Sequence, residues 1–120
     1  MRFFYKIFFL LMLFLPIRVN AEFVEGMADI PLMDGMKQIH SASISFGNDE
    51  SRFDEAYMTS AKINFDKVCE FYKNTLPQLG WKFLSHDNAA VHFERDMEVL
   101  DIVLEKNKPT LVRITLKSKD

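Results

Sequence analysis

Residues 81–117 read WKFLSHDNAAVHFERDMEVLDIVLEKNKPTLVRITLK, and their alternation decides the fold class. Three hairpin loops divide the run. With Asp87-Asn88-Ala89 as a three-residue loop, Phe83 lies opposite Phe93 and Ser85 opposite Val91. With Asp96-Met97 as a two-residue turn, Phe93 faces Leu100 and Val91 faces Ile102. With Asn107-Lys108-Pro109 as the last loop, Leu104, Ile102 and Leu100 face Val112, Ile114 and Leu116. All three loops have common hairpin lengths. Together they collect Trp81, Phe83, Val91, Phe93, Leu100, Ile102, Leu104, Val112, Ile114 and Leu116 on one side. A one-residue slip in any loop would scatter that set over both faces. The stretch therefore reads as a four-stranded antiparallel meander with one apolar face. Asp96-Met97 raises a local difficulty, because such turns want positive φ and Met tolerates it poorly. Either Asp96 takes the strained angle or a bulge shifts the register around Met97.

An apolar sheet face needs a cover, and the preceding segment supplies one. Phe65, Val68, Tyr72, Leu76 and Leu79 recur at three- and four-residue steps, with Phe71 widening the stripe. Asn64 is a suitable N-cap, and Asp66 suits the positive end of the helix dipole. Pro77 lacks an N–H and biases Leu76 away from helical angles, so the regular helix should end near Thr75. One tight turn over Pro77-Gln78-Leu79 then keeps Leu79 over the core, and Gly80 takes left-handed angles to reverse the chain. Upstream, residues 36–46 alternate at Ala42, Ile44 and Phe46, and residues 53–63 mix β-branched and aromatic side chains. The polar cluster 47–52 between them predicts a hairpin. The expected class is α+β, with one helix packed across one face of an antiparallel sheet in the order β-β-α-β-β-β-β. The first hairpin can join the meander at either edge. Residues 22–35 carry Gly26, Pro31 and Gly35 without a period, and read as an extended lead-in anchored by Ile30, Leu32 and Met33.

The first 21 residues have a different character. Arg2 and Lys6 precede an apolar run from Ile7 to Ile17, and Val19-Asn20-Ala21 ends in small or β-branched residues. This is the layout of a secretory signal peptide cut between Ala21 and Glu22, which implies a periplasmic or secreted protein. The rival reading is an uncleaved anchor, but a spanning helix needs about 20 apolar residues and the run is shorter. No stable membrane span is then expected after cleavage. The expected organisation is a signal peptide over 1–21, a lead-in over 22–35 and a single domain over 36–120. The mature chain would hold 120 − 21 = 99 residues, with 12 basic and 17 acidic side chains, a net charge of −5. That balance argues against nucleic acid as a partner, since such binders show a basic patch or stripe.

No catalytic or metal-binding pattern emerges. Cys69 is the single cysteine, so no intramolecular disulfide can form. It reads as a small buried hydrophobe on the helix, the alternative being an intermolecular bridge or a reactive thiol. His40, His86 and His92 show none of the paired spacings of zinc sites, and no cofactor is implied. Ser85-His86-Asp87 imitates a triad only in writing, because a working triad converges from separate segments. It reads as a turn. The outer face of the meander is the more informative surface. Leu84, Val99, Asp101, Val103, Leu111 and Arg113 should lie there, with Asp101 diagonal to Arg113 and Lys117 for cross-strand charge pairing. Apolar surface left between those charges marks either an ordinary half-solvated sheet or a docking face, for another envelope component or for residues 22–35 folding back.

The segments VCEFYKNTLPQLGWKF (68–83), FERDMEVLDIVL (93–104) and TLVRITLK (110–117), with ADIPLMDG at 28–35, resemble a family of small exported proteins of the alphaproteobacterial type. The most specific part is Phe71-Tyr72 followed by Leu76-Pro77 and Leu79-Gly80-Trp81. The resemblance spans nearly the whole mature chain and implies export, but no activity, cofactor or site residue. It also implies a glycine in the turn where this chain has Met97. A looser analogy, at the level of fold alone, runs to the helix-over-sheet domains of envelope assembly lipoproteins. The expected function is a non-catalytic envelope module that binds another envelope protein. The alternative is a carrier holding an apolar or amphipathic ligand between helix and sheet, lined by Phe65, Phe71, Tyr72, Trp81, Phe83 and Phe93.

Overall fold

The computed structural model describes residues 22–27, 29–48 and 51–119; the signal peptide expected over 1–21, with Ala21 of the expected cleavage pair, lies outside them. The strands are β1 (Lys37–Gln38), β2 (Ile44–Gly47), β3 (Arg52–Ser60), β4 (Lys82–His86), β5 (Ala90–Arg95), β6 (Glu98–Asn107) and β7 (Thr110–Ser118). The helix α1 (Phe65–Thr75) stands between β3 and β4. The sheet is antiparallel and open, in the order β1-β3-β7-β6-β5-β4, with β2 also paired to β3. The first expected strand is thus split, because a 3₁₀ turn at His40–Ala42 separates β1 from β2 along one edge.

The hairpin joins at the far end of the meander, pairing β3 with β7 from Phe53↔Lys117 to Ser60↔Thr110. Chain geometry explains the choice. Four strand spacings from β3 to β4 amount to about 19 Å. The helix and its terminal 3₁₀ turn cover roughly 24 Å. One pass of the helix therefore carries the chain across the sheet, and the meander walks it back to β3.

The helix begins where expected, with the Asn64 Oδ1 accepting from the Lys67 N–H at 3.0 Å. It ends at Thr75 and tightens into the 3₁₀ turn Leu76–Leu79. Gly80 then takes φ 93°. Leu76 is fully buried, whereas Leu79, expected over the core, is 39% exposed. A Cβ on Gly80 would sit 3.4 Å from Arg95 Cδ, so space is not the obstacle; the backbone angle is. Gly80→Val should lower the unfolding free energy by more than about 1 kcal/mol, read from thermal melts. Unchanged melting would refute the corner.

The meander keeps the expected register at its buried positions and departs from it at two loops. Phe83↔Phe93, Phe93↔Leu100, Val91↔Ile102 and Leu104↔Val112 all pair as expected. Ser85, however, pairs with His92, and His86 with Val91, because Leu84 bulges out. The last hairpin closes on Asn107↔Thr110, with a cis Lys108–Pro109 bond in the turn. A second bulge at Glu105 restores the register before Leu104. Each bulge adds one residue to a strand and offsets a loop whose length differs by one from expectation. At the middle turn Asp96 takes the positive angle, φ 53°, and Met97 is spared it.

The apolar face carries α1 and, beside it, residues 22–36. This segment is not extended: it turns at Glu25-Gly26 and Asp34-Gly35 and bridges Phe23 to Pro31. Val24, Met27, Ile30 and Met36 are buried in one cluster with Val68, Tyr72, Trp81 and the strand residues. Tyr72 ties helix to segment, its hydroxyl donating to Pro31 O at 2.6 Å. Gln38, itself buried, grips the Glu25 backbone by accepting from its N–H and donating to its carbonyl, at 2.7 and 3.2 Å. At one end of this layer Arg95 pairs with Asp29 and Glu98, and Arg52 with Glu98 and the buried Asp54. Ser45 Oγ donates to Asp54 at 2.6 Å, so the carboxylate is held on both sides.

Candidate functional site

The opposite face of the sheet has no helix or loop over it among the described residues. Alternation along β6 and β7 turns Val99, Asp101, Val103, Leu111 and Arg113 outward, all half-buried by their neighbours. Val99 pairs with Lys117, Asp101 with Thr115 and Val103 with Arg113, so five of the six expected residues share one surface. Leu84 sits apart. It is 43% exposed in the β4 bulge at the sheet edge, with β5 between it and Val99.

The charge pairing differs from expectation. Asp101 faces His92 directly across the strands and holds its Nδ1 at 2.6 Å. Diagonal neighbours such as Arg113 and Lys117 lie farther, about 7–8 Å between strands, and lose that competition. Arg113 instead has Glu105, brought towards it by the second bulge, with Nε to Oε1 at 3.5 Å. The contact is an ion pair without a hydrogen bond, and that buried Nε has no hydrogen-bond partner among the described residues. Lys119 binds Glu94 at 2.7 Å, and this hydrogen bond holds the Glu94 carboxyl below its ordinary pKa.

Sequence reasoning missed the part of this surface supplied by β2 and β3. Phe53, Glu55 and Tyr57 extend it beyond β7, and Phe46 stacks on Phe53 with centroids 5.1 Å apart and planes 24° apart. Their inward counterparts are Asp54, Ala56, Met58 and Ser60, all buried. A pattern with aromatics outside and polar groups inside gives period two without telling the faces apart. Tyr57 has its hydroxyl pKa raised, first by burial and then by the Glu55 carboxylate.

The remaining chemistry-bearing residues stay separate. Cys69 is 1% exposed in the core, and burial pushes its thiol from 9.0 up to about 11. The folded state thus holds a proton that the unfolded state gives up, so Cys69 reduces stability as pH rises through the window from 9 to about 11. Below pH 9 it should alkylate only through unfolding, at least about 100-fold slower than in denaturant. Fast native labelling with iodoacetamide would contradict this. His40 contacts Glu25 at 3.2 Å in solvent, and His86 is exposed at the end of β4. Asp87 serves its own turn, accepting from the Ala89 N–H at 2.8 Å. No group of three or more His, Cys, Asp or Glu side chains forms a metal cage among the described residues.

Of the six aromatics expected to line an internal ligand space, five pack in the core and Phe83 does not. Phe65, Tyr72, Trp81 and Phe93 are buried together, and Phe71 packs against them. Phe83 is 39% exposed beneath the Lys73 ammonium, 5.0 Å from its ring centre. A cleft of about 270 Å³ opens elsewhere, between Glu22, Phe23, Glu25 and Leu32 on one side and Met36, Lys37, Gln38 and His40 on the other. None of the described helices is long and apolar enough to cross a membrane. Comparison with protein-family models, curated proteins and solved structures finds no match for this chain.

Proposed function

We propose that the protein is a non-catalytic module of the bacterial envelope that binds another protein through the outer face of its sheet. The observation that carries the reading is the uncovered surface across β3, β7 and β6, where Val99, Val103, Leu111 and Tyr57 alternate with paired charges. Interfaces of non-obligate complexes have this mixture, with apolar contacts at the centre and polar groups around them. The signal-peptide-like pattern of residues 1–21 supports a partner in the periplasm or outside the cell. The segment 22–36 is already spent on the other face, so it is not the occupant.

The test is recovery of a partner from envelope extracts by the tagged protein, repeated with V99K/V103E on the outer face and with E70K on the wet side of α1. The expected result is one partner retained by the wild type and by E70K and lost from V99K/V103E. Recovery of no partner, or of the same proteins by all three, overturns the reading.

A further inference from the structure

We infer that β2 is a self-complementary edge through which two copies of this chain pair into a closed dimer. The two free edges of the sheet differ. Strand β4 carries Lys82 and a bulge at Leu84, the usual devices that discourage strand addition. Strand β2 reads Ile-Ser-Phe-Gly, with no charge, proline or bulge, and pairs only with β3 among the described residues. Ile44 and Phe46 are 47% and 63% exposed on it.

The hydrogen-bond phase of this hairpin fixes which groups face outward. Asn48 N–H donates to Ser51 O at 2.6 Å, which makes 48↔51 a hydrogen-bonded pair. Pairs of that kind recur every second residue, so Phe46↔Phe53 and Ile44↔Glu55 also direct their backbone groups at β3. The N–H and C=O of Ser45 therefore point to the open side. A two-fold axis perpendicular to the sheet keeps outer faces together, so only registers that pair residues of equal parity are allowed. Centring the axis on Ser45 lets the two Ser45 backbones exchange both hydrogen bonds. It also sets Ile44 opposite Phe46 of the second copy, twice, at the close non-hydrogen-bonded positions. These four side chains continue the Phe46–Phe53 stack across the join.

A second copy is the occupant because this short sequence supplies its own complementary pairs. The pairing covers only about 14 Å of strand and stays below the roughly 1,000 Å² of a robust interface, so the dimer is weak and depends on concentration. It closes, since pairing β2 with β2 uses both copies of that strand edge and leaves outside only the two-residue β1 beside it and the protected β4.

The inference stands on the edge of the sheet and is independent of the partner reading, which rests on its outer face. Sedimentation velocity of the exported, purified protein from about 5 µM to about 1 mM should show monomer giving way to dimer. I44K/F46K and I44E/F46E, checked for wild-type melting, should each dimerise at least tenfold more weakly. Mixed, they should form a heterodimer, because lysine then faces glutamate at all four positions. As a register test, I44C mixed with F46C should form a disulfide under mild oxidation that neither forms alone, with Cys69 shielded by burial. A wild type that stays monomeric at the highest concentration overturns the inference. So do open-ended oligomers, a charge-swapped mixture that remains monomeric, or a disulfide formed equally by I44C or F46C alone. V99K/V103E should leave the dimer intact, so loss of the partner and loss of the dimer are read separately.

Discussion

A protein shortened to begin at Met36 should not fold. The segment removed carries Val24, Met27 and Ile30, which are 2%, 1% and 0% exposed in the intact chain. Burying each such side chain is worth about 1.5–3 kcal/mol, so their loss removes roughly 5–9 kcal/mol as an upper estimate. A domain of this size has about 5–15 kcal/mol of net stability. Hydrogen bonds are lost as well. Tyr72 would lose Pro31 O as an acceptor, and the Gln38 amide would lose both bonds to the Glu25 backbone. With water admitted to the uncovered groups, each lost bond adds about 0.5–1.5 kcal/mol. Circular dichroism and thermal melting of chains starting at Glu22 and at Met36 test this directly. The longer should melt cooperatively and the shorter should show no transition. Two similar melts would mean that residues 22–35 are an appendage, as their lack of a sequence period suggests.

That contrast separates what was legible in the chain from what was not. The meander was legible because its buried positions repeat at period two through three hairpins, and parity is conserved when a bulge offsets a loop. Leu100, Ile102, Ile114 and Leu116 are consequently buried as expected, although Leu84 and Glu105 bulge. The helix and its corner were legible because Asn64, Pro77 and Gly80 act locally, through a cap, a missing N–H and a left-handed angle. The segment 22–36 was legible only in part: Ile30, Leu32 and Met33 pack on the core as expected, but its turns and the buried Val24 and Met27 belong to no periodic run. On β3 the inward Asp54 is acceptable only because Arg52 and Ser45 reach it, a tertiary fact with no signature along the strand. The candidate surface inherited that blindness. Its β6 and β7 half followed from alternation, whereas Phe53 and Tyr57 needed the pairing of β3 with β7 to declare their side.

Trp81→Ala should be among the most damaging single substitutions, at about 3–5 kcal/mol. Trp81 is 2% exposed at the point where the chain leaves Gly80 and enters the sheet. The Arg95 guanidinium lies over its ring, 4.2 Å from the centre, and donates to Leu79 O at 3.1 Å. The same guanidinium binds Asp29, so the indole supports a cation that fastens the 22–36 segment to β5. Alanine would open a cavity and remove the cation–π contact, worth about 0.5–2 kcal/mol, at one stroke. Trp81→Phe separates these effects. It keeps a ring beneath Arg95 and deletes the indole Nε1–H, which is buried without a hydrogen-bond partner among the described residues. Relief of that unpaired donor, about 1–3 kcal/mol, should offset much of the lost volume. Phenylalanine should then cost less than about 1.5 kcal/mol, in line with other conservative apolar exchanges. Urea unfolding followed by circular dichroism reads both variants without relying on the tryptophan itself. An alanine variant within about 1 kcal/mol of wild type would show that the corner does not anchor the sheet. A phenylalanine variant as unstable as alanine would instead mean that the indole N–H has a partner in solution.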